Sequence, residues 1–288
     1  MRHNEFDNEL KYKLFRNIRE ILHPTISKRN ISNYKIILDE KLMPVRIFYP
    51  KKVTNMKKVI IFIHGNGEIT KCEGKYSDIS SCFSKELDQL IISIDYEDLK
   101  DNYLEDIYKE IYKTFKFIYN GLIELIDKKN ITLFGDSTGA SLVLYINNQM
   151  VKDDITISKE VLFYPVLSGE YFGKTKYGSI KDKTLDIELI RQLKEYYNKK
   201  LKNIKSRSNH KYFQLKSKKE NRYPNTLLLC GKVDPLIDEN IEFAKNKNIN
   251  LKEITFASHG FLGTKDKEIK KEYINHIIQF MNEDNDKM

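Results

Sequence analysis

The sequence predicts an α/β fold: a mostly parallel, eight-stranded sheet with helices on both faces and a helical cap. Three observations predict it. Continuous apolar runs of strand length alternate with stretches of helical periodicity, which is how parallel strands covered on both faces read. One of those runs passes straight into an apolar helix through a glycine-flanked turn. Finally, about 60 residues, 166–224, separate two runs that should be neighbours in the sheet, more than an ordinary connection needs.

Taken in order, Leu10, Leu14, Phe15, Ile18, Ile21 and Leu22 mark one face of a helix that stops near Pro24. Residues 36–38 and 45–49, rich in β-branched and aromatic side chains and closed by Pro50, read as a hairpin. Six buried strands follow at 59–63, 90–94, 131–134, 161–164, 226–230 and 251–256. Helical periods cover 104–126, 141–150, 237–247 and 265–281. Inside the long interruption, Leu185, Leu189, Leu193 and Tyr197 repeat every four residues, so it holds an amphipathic helix. The expected organisation is one domain, 1–288, with cap elements 1–30 and 166–224 folded over the sheet edge.

Composition narrows the class. Forty per cent of the residues are apolar and 11% aromatic, too many for a disordered chain, and 12 Gly with 6 Pro exclude a fibrous one. The 3 cysteines, Cys72, Cys82 and Cys230, are scattered, with neither a disulfide framework nor zinc-ligand spacing. The first 20 residues lack the apolar core of a secretory signal, and no apolar run approaches the roughly 20 residues that span a bilayer. A cytoplasmic protein is expected, with no metal, no organic cofactor and no membrane surface as partner. The formal charge is +9, but 42 of the 50 basic residues are Lys, whereas base reading and bidentate phosphate contacts favour Arg. No nucleic-acid partner is expected. The excess is local: residues 194–222 hold eleven basic and two acidic side chains, which equals the net charge of the whole chain. A solvated lysine surface accounts for that segment, with attraction of anionic substrates or an anionic surface as the alternative.

The chemistry is carried by ITLFGDSTGA, residues 131–140. A strand that turns directly into a helix holds the central serine, Ser137, in a strained conformation with Oγ exposed, and only near-absent side chains two residues away avoid a clash. Gly135 and Gly139 meet that need. A serine hydroxyl needs a base to take its proton and an acid to orient that base, in the chain order Ser, Asp or Glu, His. Three histidines follow Ser137. His210 lies in a lysine-rich stretch and His276 within a helical period, but His259, in ASHGFLG, comes directly after a strand and is the candidate base. The acid should follow the preceding strand, where Asp234 stands in the loop before Pro235; Asp238, one turn on, reads as a charge at a helix start. Backbone amides must meet the oxyanion. One comes from Thr138, and the others from the loop Gly65-Asn66-Gly67 after 59–63, through the amides of Asn66 and Gly67. His64 reads as a brace for that loop.

HGNG at His64, GDSTGA at Gly135, DPL at Asp234 and HGF at His259 resemble the HGGG, GDSAGG, DPL and HGF motifs of the α/β-hydrolase superfamily's hormone-sensitive-lipase-like esterases. The likeness extends over about residues 40–281, with PVRIFYP at Pro44, DY at Asp95 and YPVL at Tyr164 as further matches. It implies an α/β-hydrolase fold, with Ser137, Asp234 and His259 as nucleophile, acid and base. Gly65, Asn66, Gly67 and Thr138 would form the oxyanion hole, beneath a cap. It departs at Asn66, at Ala140 and at 97–101, where EDLKD replaces the usual Arg-Leu-Ala-Pro-Glu. The expected activity is a serine carboxylesterase acting on small or medium acyl esters, a small-molecule substrate. An amidase, peptidase or formamidase using the same triad is the alternative, and a non-catalytic binding protein on this fold a third reading.

Overall fold

A run such as VIIFI offers no polar side chain to water, so it is stable only between two covering layers. Residues 59–63 are accordingly all buried at the middle of a sheet. The computed structural model describes residues 31–38, 41–50, 58–65, 73–96, 103–167 and 223–283. Its strands are β1 (Ile31–Leu38), β2 (Lys41–Phe48), β3 (Val59–Ile63), β4 (Leu90–Ile94), β5 (Ile131–Asp136), β6 (Lys159–Phe163), β7 (Asn225–Gly231) and β8 (Asn250–Ile254). They form one eight-stranded sheet in the order β1-β2-β4-β3-β5-β6-β7-β8. The pairs β1/β2 and β2/β4 are antiparallel, and every pair from β4 onward is parallel. Loops leaving β3, β5, β7 and β8 therefore emerge on one edge, where a site can be assembled.

The main helices among the described residues are α1 (Glu73–Leu87), α2 (Leu104–Ile123), α3 (Thr138–Lys152), α4 (Ile237–Lys247) and α5 (Lys267–Asn282). Sequence periodicity finds the last four and misses α1, whose buried stripe of Tyr76, Ile79 and Phe83 is interleaved with the buried Ser80 and Ser84. Phe83 sets α1 on the sheet: its ring meets Phe62 of β3 and Phe134 of β5 edge-on at 5.9 and 5.4 Å and stacks on Phe163 of β6 at 5.7 Å. Such pairs add about 0.5–1.5 kcal/mol each beyond the area they bury. Arg46 on β2 then ties strand to helix, pairing through Nε and Nη2 with the Asp95 carboxylate (2.6 Å each) and reaching Ser77 of α1.

Two expectations shift. The hairpin strands are longer than residues 36–38 and 45–49 suggest, because the register runs unbroken from Ile31↔Phe48 to Leu38↔Lys41. The last strand ends at Ile254 rather than 256: Phe256 adopts a positive φ of 55° and is 83% exposed, so the chain turns out of the sheet before His259. The expected cap, 1–30 and 166–224, lies outside the described residues except for 166–167 and 223–224.

β6 also clasps the last helix. Lys159 is buried, and its Nζ donates to the carbonyls of Phe280 (2.8 Å), Met281 (3.1 Å) and Glu283 (2.6 Å), taking up acceptors that the end of α5 leaves open. Lys159→Met keeps the stem and strips these acceptors of their donor, at about 2 kcal/mol. Calorimetry should show a fall of about 4–8 °C in Tm.

Candidate active site

The turn after β5 is built as the sequence requires. Ser137 has φ 54° and ψ −120°, a conformation that costs a non-glycine residue about 1–3 kcal/mol and is held by what surrounds it. Its N–H donates to Phe163 O (2.9 Å), and its carbonyl accepts from Ala140 N–H (3.1 Å) in the first turn of α3. No side chain fits beside it. A Cβ on Gly139 would stand 2.2 Å from Ile63 O, and one on Gly135 2.6 Å from Gly139 O.

Ser137 Oγ lies 3.0 Å from His259 Nε2, and His259 Nδ1 lies 3.0 Å from Asp234 Oδ2. The carboxylate can only accept, so Nδ1 carries the proton and the Nε2 lone pair faces the serine, the tautomer a general base needs. Asp234 is fully buried, with its other oxygen accepting Leu236 N–H at 2.8 Å. The two loops are laced together: Val233 N–H donates to Ala257 O (3.1 Å) and Lys232 N–H to Ile254 O (3.0 Å). Asp238, the other acid considered, belongs to the first turn of α4. His276 is in α5, and His210, Asn66 and Gly67 lie outside the described residues.

Gly65, grouped with the oxyanion loop from sequence, has its own amide engaged. Its N–H donates to Asp136 Oδ1 at 2.8 Å, so this amide is held by a carboxylate at the end of β5. His64 braces the same loop: its ring stacks between Tyr76 (4.9 Å) and Tyr96 (4.6 Å), and Nδ1 donates to Gly65 O at 2.8 Å. Burial holds its pKa below the ordinary value, against the opposing pull of the Gly65 carbonyl and Asp95. Thr138 opens α3, so its amide sits at the positive end of the helix beside the nucleophile.

Sequence reading missed Asp136 and the tyrosines around it. Asp136 is buried, and its Oδ2 accepts from the hydroxyls of Tyr76 (3.0 Å) and Tyr164 (3.4 Å). The signal was a carboxylate closing a strand of otherwise buried residues, which needs donors from elsewhere in the chain. Among the described residues no group of three or more His, Cys, Asp or Glu is placed to hold a metal ion. No helix among them is long and apolar enough to cross a membrane.

A parallel sheet with an antiparallel N-terminal pair and a strained serine between strand and helix, facing histidine and aspartate from later loops, defines the architecture of the α/β-hydrolases. The comparisons agree. A family model described as alpha/beta hydrolase fold matches residues 60–262, and the chain belongs to that family, in the hormone-sensitive-lipase-like group that its motifs resemble. Arylacetamide deacetylase of Rattus norvegicus is 28% identical over 156 residues, 50% of this chain and 38% of the relative. An arylesterase of Saccharolobus solfataricus is 24% identical over 240 residues, 79% of this chain and 74% of its own. The hyperthermophilic esterase from Pyrobaculum calidifontis shares the fold with a TM-score of 0.75 at 15% identity, over 96% of this chain and 92% of its own. The chain thus spans well under half the length of the first of these relatives.

Proposed function

We propose that the protein is a serine carboxylesterase that hydrolyses small or medium acyl esters. The observation that carries this reading is the alignment of Ser137 Oγ, the His259 ring and Asp234 through two 3.0 Å contacts. His259 Nε2 takes the hydroxyl proton as Ser137 Oγ attacks the ester carbonyl. The amides of Asn66, Gly67 and Thr138 hold the oxyanion of the tetrahedral intermediate. On its collapse His259 gives the proton to the leaving alcohol, then takes one from a water that attacks the acyl-enzyme, and the carboxylate of Asp234 keeps the imidazole oriented throughout. The cap, 1–30 with 166–224, would close over the acyl group. Free Cys82 and Cys230 suit a cytoplasmic location.

The test is a p-nitrophenyl ester panel from acetate to decanoate with a fluorophosphonate probe. Turnover and labelling are expected in the wild type, and Ser137→Ala should lose labelling and essentially all turnover. A wild type inert to both would sink the reading. The name of the rat relative, arylacetamide deacetylase, favours a second reading in which an amide is the substrate. Parallel kcat/KM values for an aryl acetate and the matching anilide would decide between the two.

A further inference from the structure

Tyr164 stands where three parts of the site meet. It follows β6 with a positive φ of 39°, is buried, and its N–H donates to Leu229 O on β7 at 2.7 Å. Its ring meets His259 edge-on at 4.8 Å and Phe261 edge-on at 4.8 Å. Its hydroxyl does two things: it donates to Asp136 Oδ2 (3.4 Å) and is hydrogen-bonded by the backbone of Leu262, three residues beyond the base. Burial, helped by the nearby Asp136 charge, pushes the phenol well above its usual range, so the hydroxyl keeps its proton and remains a donor. The other oxygen of Asp136 holds the N–H of Gly65, just after the end of β3.

The elbow, the base loop and the oxyanion loop come from β5, β8 and β3. Asp136 adjoins the nucleophile in sequence, and Tyr164 carries its position to the loop that bears the imidazole. Contacts through buried, rigid groups hold the three loops in mutual register, and near an attacking atom displacements below about 1 Å matter. We propose that Tyr164 is a positioning residue that, with Asp136, sets the His259 loop and Gly65 against the nucleophile. This rests on the serine hydrolase reading above.

The experiment uses the full chain and the variants Tyr164→Phe, Asp136→Asn and the double change. Phe keeps the ring on His259 and removes only the hydroxyl. The expected result is a fall of about 10- to 100-fold in kcat for p-nitrophenyl acetate with KM within about twofold, as for a group acting on the transition state. Fluorophosphonate labelling should slow by a similar factor. The acid limb of kcat/KM should move to lower pH, because a displaced imidazolium is held less well by Asp234. If the two residues act as one unit, the double change costs little more than Asp136→Asn alone. A role confined to stability would lower Tm while leaving kcat, labelling rate and pH limb at wild-type values, and that outcome overturns the proposal. Additive losses in the double variant would also overturn it, by removing the path through Asp136. Should Tyr164→Phe not fold, Asp136→Asn with a wild-type labelling rate and pH limb is the overturning result. Failure of the underlying reading is distinguishable, because then the wild type itself is not labelled.

Discussion

Asp234→Asn is expected to lower kcat for ester hydrolysis by roughly 10³- to 10⁴-fold while leaving the fold intact. The reason lies in how few hydrogen-bonding arrangements the site permits. Oδ1 accepts Leu236 N–H at 2.8 Å, and Oδ2 accepts the Nδ1 proton of His259 at 3.0 Å. An asparagine must keep its carbonyl toward Leu236, since the only alternative sets its NH₂ against another N–H donor. Its amide hydrogens then face His259, which can accept only if Nδ1 gives up its proton. The proton moves to Nε2, and the ring presents a donor to Ser137 where it needs a lone pair. Stability should change little, because the amide fits the same space and keeps the Leu236 bond. Steady-state rates on p-nitrophenyl acetate with matched thermal melts would check this, with Asp238→Asn as a control expected to keep wild-type rates. A variant within tenfold of wild type would show that the carboxylate does not govern the tautomer.

The second large effect concerns stability. Glu160 of β6 is fully buried, accepts from Asn147 Nδ2 at 2.5 Å and lies 2.8 Å from Thr226 Oγ1. Thr226 has one hydroxyl proton and a second acceptor, Pro224 O, at 2.7 Å. Its one proton is therefore shared between Glu160 Oε1 and Pro224 O, which leaves a buried Glu160 charge poorly compensated. Burial outweighs the donors from Asn147 and Thr226 and raises the Glu160 pKa from 4.5 to about 7. A raised carboxyl pKa makes the folded state bind a proton that the unfolded chain has released. Stability from this group is therefore full below pH 4.5 and is lost as pH rises toward 7. The loss amounts to about 3 kcal/mol over the whole window, and to about 2–3 kcal/mol between about pH 5 and pH 8. Glu160→Gln reproduces the hydrogen bonding of the protonated acid without the titration. Urea unfolding at both pH values should show the wild type losing that much more stability than the variant. Parallel pH curves for the two proteins would mean that Glu160 keeps its charge inside the fold.

Where the sequence was legible, the reason was local. Strands such as VIIFI have no face for water, and the elbow combines a period change with glycines two residues either side of Ser137, so both read directly. Asp234 could be separated from Asp238 because it precedes Pro235, and it lies in the loop while Asp238 opens α4. What escaped depends on partners far along the chain. The stripe of α1 is masked by serines whose burial makes sense only once β2 is present: Ser84 Oγ lies 3.1 Å from Phe48 O. Asp136 looks like a variable position within a motif, yet its partners Tyr164 and Tyr76 are 28 and 60 residues away. That the Gly65 amide is taken up by a carboxylate depends on Asp136, 71 residues further along the chain.

His259 follows Ser137 by 122 positions, and the carbonyls that hold Lys159 follow it by 121 to 124. On the proposed reading, the nucleophile leaves the ribosome during synthesis 122 residues ahead of its base. A nascent chain that has completed β5 and α3 carries a serine no more reactive than any other hydroxyl, and it stays so until β8, at the edge of the sheet, docks beside β7. On the serine hydrolase reading, a chain broken off before residue 259 lacks the imidazole that would activate Ser137.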